Sequence, residues 1–338
     1  MPQKTKLSTK SCVYISLIAL FAALLALFVT FGSISSAVLV HHLKTNSSNK
    51  AEKPYYTDAQ IEQLYQLTLN DDSQSYTISK YIGEQKKDIH VVIPAKYKNL
   101  PITQLGNDLF SEEDENYDPI FEVTSLTFEK NSNVKVIQEN CFYATLIKTV
   151  TIPASVEIIE KDAFGETDLE TVYFEPNSKL KEIKRYGFAR SYNLHTVNLP
   201  EGLKIINPYA FECDDIINLV IPSTVTEIGE HAFYNCTKLE SVKFAPNSQL
   251  TTIGNCCFQY ATFTSIVFPE KLASLGSNCF CLSRNLETIE FTSPTPPSTP
   301  GLDDCSTVTK IYVPAESLEV YKTADGWSRY ASKIHPSN

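Results

Sequence analysis

From residue 123 onward the chain repeats short runs in which apolar and polar residues alternate. TVTIP (149–153), TVYF (171–174), TVNLP (196–200), NLVIP (218–222), SVKF (241–244), SIVFP (265–269), TIEF (288–291) and KIYVP (310–314) all share this pattern. Alternation with a period of two is the mark of a half-buried strand. The inward positions are then Val150 and Ile152, Val172 and Phe174, Val197 and Leu199, and so on to Ile311 and Val313. A proline often closes the run, because it has no N–H to give to a ladder. A second apolar pair comes on the far side of each coil: Val156 and Ile159, Leu180 and Ile183, Leu203 and Ile206, Val225 and Ile228, Leu250 and Ile253, Leu272 and Leu275.

Before each strand run stands a phenylalanine. Phe110, Phe142, Phe164, Phe188, Phe211, Phe233, Phe258 and Phe280 are separated by 32, 22, 24, 23, 22, 25 and 22 residues. A period in the low twenties implies a solenoid whose coils bury little alone and much when stacked. The preceding residues are Leu109, Cys141, Ala163, Gly187, Ala210, Ala232, Cys257 and Cys279. All but the first are small, as a tight corner requires when equivalent residues stack about 4.8 Å apart. Units written FEPNSKL or FAPNSQL carry two more residues than those written IPSTV, which predicts a wider surface turn with no change in core register. SEEDENYDP (111–119) fills the 32-residue interval as an acidic insertion, expected to form a surface loop.

These residues carry a resemblance. IPSTVTEIGEHAFYNCTKLESVKF (221–244) is similar to the repeat of the BspA-like leucine-rich repeat surface-protein family. The segments 76–110 and 311–334 resemble those that open and close such arrays. The resemblance covers about residues 60–335. It implies an α/β fold: a right-handed leucine-rich repeat solenoid of mostly short parallel strands with loops and short helical turns. It also implies a cell-surface adhesion or recognition module with no shared catalytic residues, and it does not imply an enzyme; no cofactor is expected.

Residues 11–40 contain no charge, and CVYISLIALFAALLALFVTF (12–31) meets the roughly 20 apolar residues that a helix needs to cross a bilayer. The run exceeds the apolar core of a cleaved signal peptide, so we read a signal anchor. Lys4, Lys6 and Lys10 before the span bias it toward a cytoplasmic N-terminus, with the body outside at the plasma membrane. The N-x-S/T sequons at Asn46 and Asn235 are glycosylation candidates compatible with that orientation. The chain thus divides into a tail (1–10), an anchor (11–40), a linker (41–54), an N-terminal cap with the first coil (55–110), the repeat array (111–313) and a C-terminal cap (314–338). Within the span, Ala19 and Ala23, Ala22 and Ala26, and Gly32 and Ser36 offer small-residue faces for weak self-association.

Net charge is −10, which argues against nucleic acid as a partner. The cysteines beyond Cys12 number eight, an even count that permits disulfides, although Cys141, Cys257 and Cys279 suit buried free thiols. No histidine set stands at zinc-ligand spacing, so no metal site is expected. None of the six histidines falls in a motif with a nucleophile and a carboxylate, and each reads as an exposed loop or coil residue. Trp327, with Leu318, Tyr321, Tyr330 and Ile334, is expected to cover the last coil.

Two outward columns remain on the strands. Ser125, Thr149, Thr171, Thr196, Asn218, Ser241, Ser265 and Thr288 form a uniform polar column that suits a sheet face and requires no further role. The other column includes Tyr173, Asn198, Val220, Lys243, Val267 and Glu290, mixed in size and charge, and is the candidate binding stripe, about 24 Å long. The function expected is a membrane-anchored ectodomain that binds an extracellular protein or glycan. A scaffold facing the cytosol from the same anchor is the rival reading, and a hydrolase of unknown type the third.

Overall fold

A computed structural model describes residues 55–111 and 120–337, which belong to one compact unit, Pro54–Asn338. The anchor at 11–40, the sequon at Asn46 and positions 112–119 of the acidic insertion lie outside the described residues. Among the described residues no helix is long and apolar enough to cross a membrane.

Each coil makes three features. The second apolar pair ends in a two-residue strand. These strands stack in parallel and in register as Val136–Ile137, Ile158–Ile159, Glu182–Ile183, Ile205–Ile206, Glu227–Ile228, Thr252–Ile253 and Ser274–Leu275. A turn containing the phenylalanine comes next. The alternating run then forms a longer strand on the opposite face. The expected inward residues are buried, except that Phe174, Leu199 and Phe244 are only partly covered. Both members of every second apolar pair are buried as expected.

The phenylalanines are the spine of this core. All eight are fully buried, and consecutive rings stack face to face at 5.1 to 6.2 Å from Phe110 to Phe280. Tyr81 meets the Phe110 ring at 5.2 Å at one end, and the buried Leu302 takes the next position, 22 residues after Phe280. The small residue before each ring has a second reason. The amides of Phe142, Phe164, Phe188, Phe211, Phe233 and Phe258 donate to the carbonyls of Ala163, Gly187, Ala210, Ala232, Cys257 and Cys279 on the next coil, at 2.9 to 3.0 Å. A large side chain at that residue would keep the two backbones apart. At Gly187 a Cβ would already stand 2.8 Å from the Ile183 side chain.

The corners are hydrogen-bonded turns that do not extend into helices, and among the described residues helices occur only in the caps. The reason is conformational. From Phe142 to Phe280, the residues two before and two after each phenylalanine sit in the left-handed region, as Asp162 (φ 52°) and Glu166 (φ 55°) do around Phe164. A right-handed helix cannot run through such residues. None of these positions is glycine: Tyr186, Arg190, Tyr209, Cys213, His231, Asn235, Cys256 and Tyr260 all adopt this backbone. The wider turns of the longer units place Asn131, Asn177 and Asn247 in the same region, where asparagine is well tolerated.

The longer strands do not form one continuous sheet. Pairing is interrupted before Thr149–Ile152, before Asn218–Ile221 and before Ser265–Phe268. A proline stands directly after each of these strands: Pro153, Pro222 and Pro269. Strands that pair back in full are succeeded by Glu129, Glu175, Ala245 or Thr292. Their amides donate to Ile93, Ile152, Ile221 and Phe268 at 2.9 to 3.2 Å. Proline cannot make that bond, and a four-residue strand has few others to hold its register. At Pro200 and Pro314 the pairing survives but stops short, at Val197 and at Tyr312.

Both ends are covered. The helix Asp58–Leu64 opens the N-terminal cap with a capping box between Thr57 and Gln60 and buries Ile61. At the other end Trp327 is fully buried, donates Nε1–H to the carbonyl of Pro297 (2.9 Å) and meets Phe291 and Tyr321 edge to face. Tyr321 and Ile334 are buried beside it, with Leu318 and Tyr330 packed against them.

The eight described cysteines are all free thiols, so the disulfides that their even number permitted are not formed. Cys141, Cys257 and Cys279 are buried in the corner, where desolvation pushes their thiols up. Three residues after Leu302 and after each phenylalanine from Phe142 to Phe280 runs a buried column of mostly small polar residues: Thr145, Thr167, Ser191, Asp214, Cys236, Ala261, Ser283 and Cys305. Their hydroxyls and thiols donate to corner carbonyls, for example Thr145 to Phe142 (2.8 Å) and Ser283 to Phe258 (3.0 Å). Asp214 is out of place in this column. Its Oδ1 accepts from the Ser191 amide (2.9 Å), its Oδ2 has no partner, and burial pushes its carboxyl well above the usual range.

Candidate functional site

The candidate stripe lies on the outer face of the longer strands, broken into segments by the proline gaps. Tyr173 pairs with Thr151, Val220 with Lys243, and Val267 with Glu290. Asn198 falls just beyond the short strand Thr196–Val197, so it does not share the ladder with its neighbours. The stripe is therefore not a single run of successive paired strands. The sequence pattern concealed this because pairing is lost or kept according to the residue after each strand. The column also runs further than the sequence reading took it: Glu290 pairs with Tyr312, and Tyr312 with His335. Tyr312 occupies the same place in KIYVP as Glu290 in TIEF, so that extension was legible. His335 was not, because it sits in a strand outside the repeat.

Both columns mix exposed and half-buried positions, and side-chain character is what separates them. Val220 and Val267 are 55% and 51% exposed, a large apolar exposure on a mostly polar face. Lys243, on the strand between them, is exposed, and Tyr173 and Glu290 are half-buried. In the polar column Ser241 Oγ donates to Asn218 Oδ1 at 2.6 Å. Between Ser241–Phe244 and Ser265–Phe268 the missing pairing leaves a groove of about 870 Å³ bordered by Lys243, Phe244, Val267, Glu270 and Lys271. The gap thus gives the flat face a concavity beside two of the predicted residues.

One juxtaposition was not visible in the sequence, although His90 is exposed as expected. His90 lies on the strand Ile89–Ile93, with Nδ1 2.7 Å from Ser125 Oγ and Nε2 3.8 Å from Asp88 Oδ1. Ser125 lies 35 residues away in sequence, and the coil closure that joins them has no local signal. The set has the residue types of a nucleophilic triad and not its geometry. Asp88 is beyond hydrogen-bond reach of the imidazole and is taken by Thr124 Oγ1 at 2.8 Å. The His90 and Asp88 side chains are 68% and 75% exposed. Nucleophile activation needs an oriented base in a site that excludes water, and this one is solvated.

The sequon at Asn235 falls on a corner, in the left-handed region, where its Nδ2 donates to Cys213 Sγ at 3.3 Å. Among the described residues no group of His, Cys, Asp and Glu is arranged to hold a metal ion.

The sequence reading missed a second concavity on the corner. It is a pocket of about 330 Å³ lined by Asp108, Ser111, Asn140, Tyr143, Asp162 and Arg190. The contributions of different coils are 22 to 32 residues apart, so neither spacing nor composition marked it.

Comparison with known proteins agrees with this architecture. A family model described as a BspA type leucine rich repeat region matches in six copies over residues 135–250 and 204–324, together more than half of the chain. No curated protein matches the sequence. Among solved structures, a leucine rich cell surface protein from Faecalibacterium prausnitzii is similar at 21% identity. That match covers 79% of this chain and 72% of the other, with a TM-score of 0.53. The leucine rich repeat protein of T. pallidum aligns at 18% identity over 81% of this chain and 95% of its own, with a TM-score of 0.43. The first likeness shows the same fold. With a matching family model over most of its coils, the chain belongs to the BspA-type leucine-rich repeat proteins.

Proposed function

We propose that this chain is a protein-binding module held at a membrane by residues 11–40, and that its strand face makes the contact. The observation that carries the reading is the pair of half-exposed valines, Val220 and Val267, on either side of Lys243, with Val267 bordering the groove left by Pro269. Apolar side chains on an otherwise polar sheet gain by being covered, and a concavity gives a partner something to fill. Tyr173 adds an aromatic anchor with few rotamers to lose. Lys243 and Glu290 supply orientation more than affinity. The non-enzymatic character of the repeat family fits this reading.

The anchor is read with its N-terminus in the cytosol and the repeat body outside. One observation favours the opposite orientation: eight free thiols suit a reducing compartment. Protease protection on intact cells with a C-terminal tag separates the two, and a mobility shift lost in Asn235→Gln places the body outside. For binding, the full chain in detergent is titrated against a panel of matrix proteins, with Tyr173→Ala and Val267→Glu compared with Thr171→Ala and Ser265→Ala. Loss confined to the first pair supports the strand face. Equal loss in both pairs, or none, places the contact elsewhere.

A further inference from the structure

The corner pocket brings together residues from four successive coils. Asp108, Asn140 and Asp162 each stand two before a phenylalanine, all in the left-handed region, while Tyr143 directly follows Phe142. Asp108 Oδ1 is already satisfied by Asn140 Nδ2 (2.8 Å) and by Ser111 Oγ (3.3 Å). Asp162 is different. It is only 8% exposed, it lines the pocket, and its Oδ1 has no hydrogen-bond partner. A buried carboxylate oxygen left unpaired is costly, and a native fold that retains one has a reason for it.

The charges around it are not free to hold an anion. Arg190 gives Nε to Glu166 at 2.9 Å and Nη1 to Glu212 at 3.5 Å, while its Nη2 stays 3.7 Å from Asp162 Oδ1, too far for a hydrogen bond. Lys161 lies 3.5 Å from Asp162 Oδ2 and bonds Glu139 at 2.5 Å. Nor does the site favour a cation, because the guanidinium stands beside the one unpaired oxygen. Charge is supplied there, and a hydrogen-bond donor is what is missing. Tyr143 forms an aromatic wall with its hydroxyl turned to Glu166. Gly165 leaves room on the same side, since a Cβ there would come within 3.2 Å of both Asp162 Oδ1 and the Tyr143 ring.

We propose that this pocket binds a neutral saccharide unit, with Asp162 Oδ1 accepting from a sugar hydroxyl and the Tyr143 ring covering its apolar face. Sugars offer what the pocket needs: uncharged donors, acceptors for the second N–H of the Asn140 amide, and a C–H face for an aromatic ring. A volume of about 330 Å³ is at the small end of ligand sites, which suits one ring of a longer chain. The corner is separate from the strand face, so either site can fail without the other.

The test uses the full chain in detergent. Maltotriose, chitotriose, mannotriose and N-acetyllactosamine are titrated by calorimetry, with 3′-sialyllactose and lysine methyl ester as charged comparators. The expected result is saturable binding of at least one neutral sugar, weakened about tenfold or more by Asp162→Gly, which suits the left-handed backbone, and by Tyr143→Ala. Saturation-transfer NMR with the same sugar, repeated with Tyr143→Phe, keeps the test independent of any loss of stability in those variants. No binding by any neutral sugar, a preference for the amine or the sialylated ligand, or binding that survives both substitutions overturns the proposal.

Discussion

Phe233→Ala tests the stacking account of the core most directly. Phe233 is fully buried, with parallel rings on both sides at 5.4 Å (Phe211) and 5.7 Å (Phe258). Emptying such a site costs about 3–5 kcal/mol. The upper half of that range is expected here, because each aromatic pair contributes about 0.5–1.5 kcal/mol beyond area burial. The cavity cannot close easily. The Phe233 amide still donates to Cys257 at 3.0 Å and Phe211 still donates to Ala232 at 2.9 Å, so the backbone ladder holds the coils at their spacing. Urea unfolding gives the total loss, and hydrogen exchange gives its position. Because coils touch only their neighbours, protection should fall in the coils of Phe211, Phe233 and Phe258 before the caps respond. Thr171→Ala, on the outer face, should stay within about 0.5 kcal/mol of the parent. A loss near 1 kcal/mol for Phe233→Ala, or exchange raised only at the ends, would refute the picture of a stacked spine that holds the coils together.

Two further outcomes rest on particular residues. Asp214→Ser places the residue of Ser191 and Ser283 where a buried carboxyl now sits. Burial raises the folded-state pKa of Asp214, so its stability contribution is fully present below the unfolded carboxylate pKa and is lost as pH rises through the folded value. The variant should therefore be more stable than the parent at neutral pH, with the gain shrinking on acidification. Thermal melts from pH 3 to 8 check this, and a gain independent of pH rules it out. Pro269→Ala restores an amide opposite the Phe244 carbonyl. It should raise exchange protection in 241–245 and 265–269 and narrow the groove, while Pro314→Ala leaves both unchanged.

The period and the residue types were enough to place the core, because residues 22 to 25 apart fall on equivalent places in successive coils. A buried ring at Phe142 or Phe233, and the small residue before it, are consequences of stacking alone. The same reasoning picked out Val220 and Val267, since alternation along a strand decides which side chains face outward. Tertiary structure decided everything that depends on a particular neighbour. Tyr186, Arg190 and Cys256 in the left-handed region carry no local signature, because hydrogen bonds from adjacent coils impose that backbone. Pro269 was visible in the sequence, but the gap it opens could be recognised only once the strand it fails to pair with was known. His90 meets Ser125 only through coil closure. The pocket at Asp162 depends on which oxygen remains unpaired after Asn140, Tyr143 and Arg190 have taken their places, and distance along a chain does not encode that.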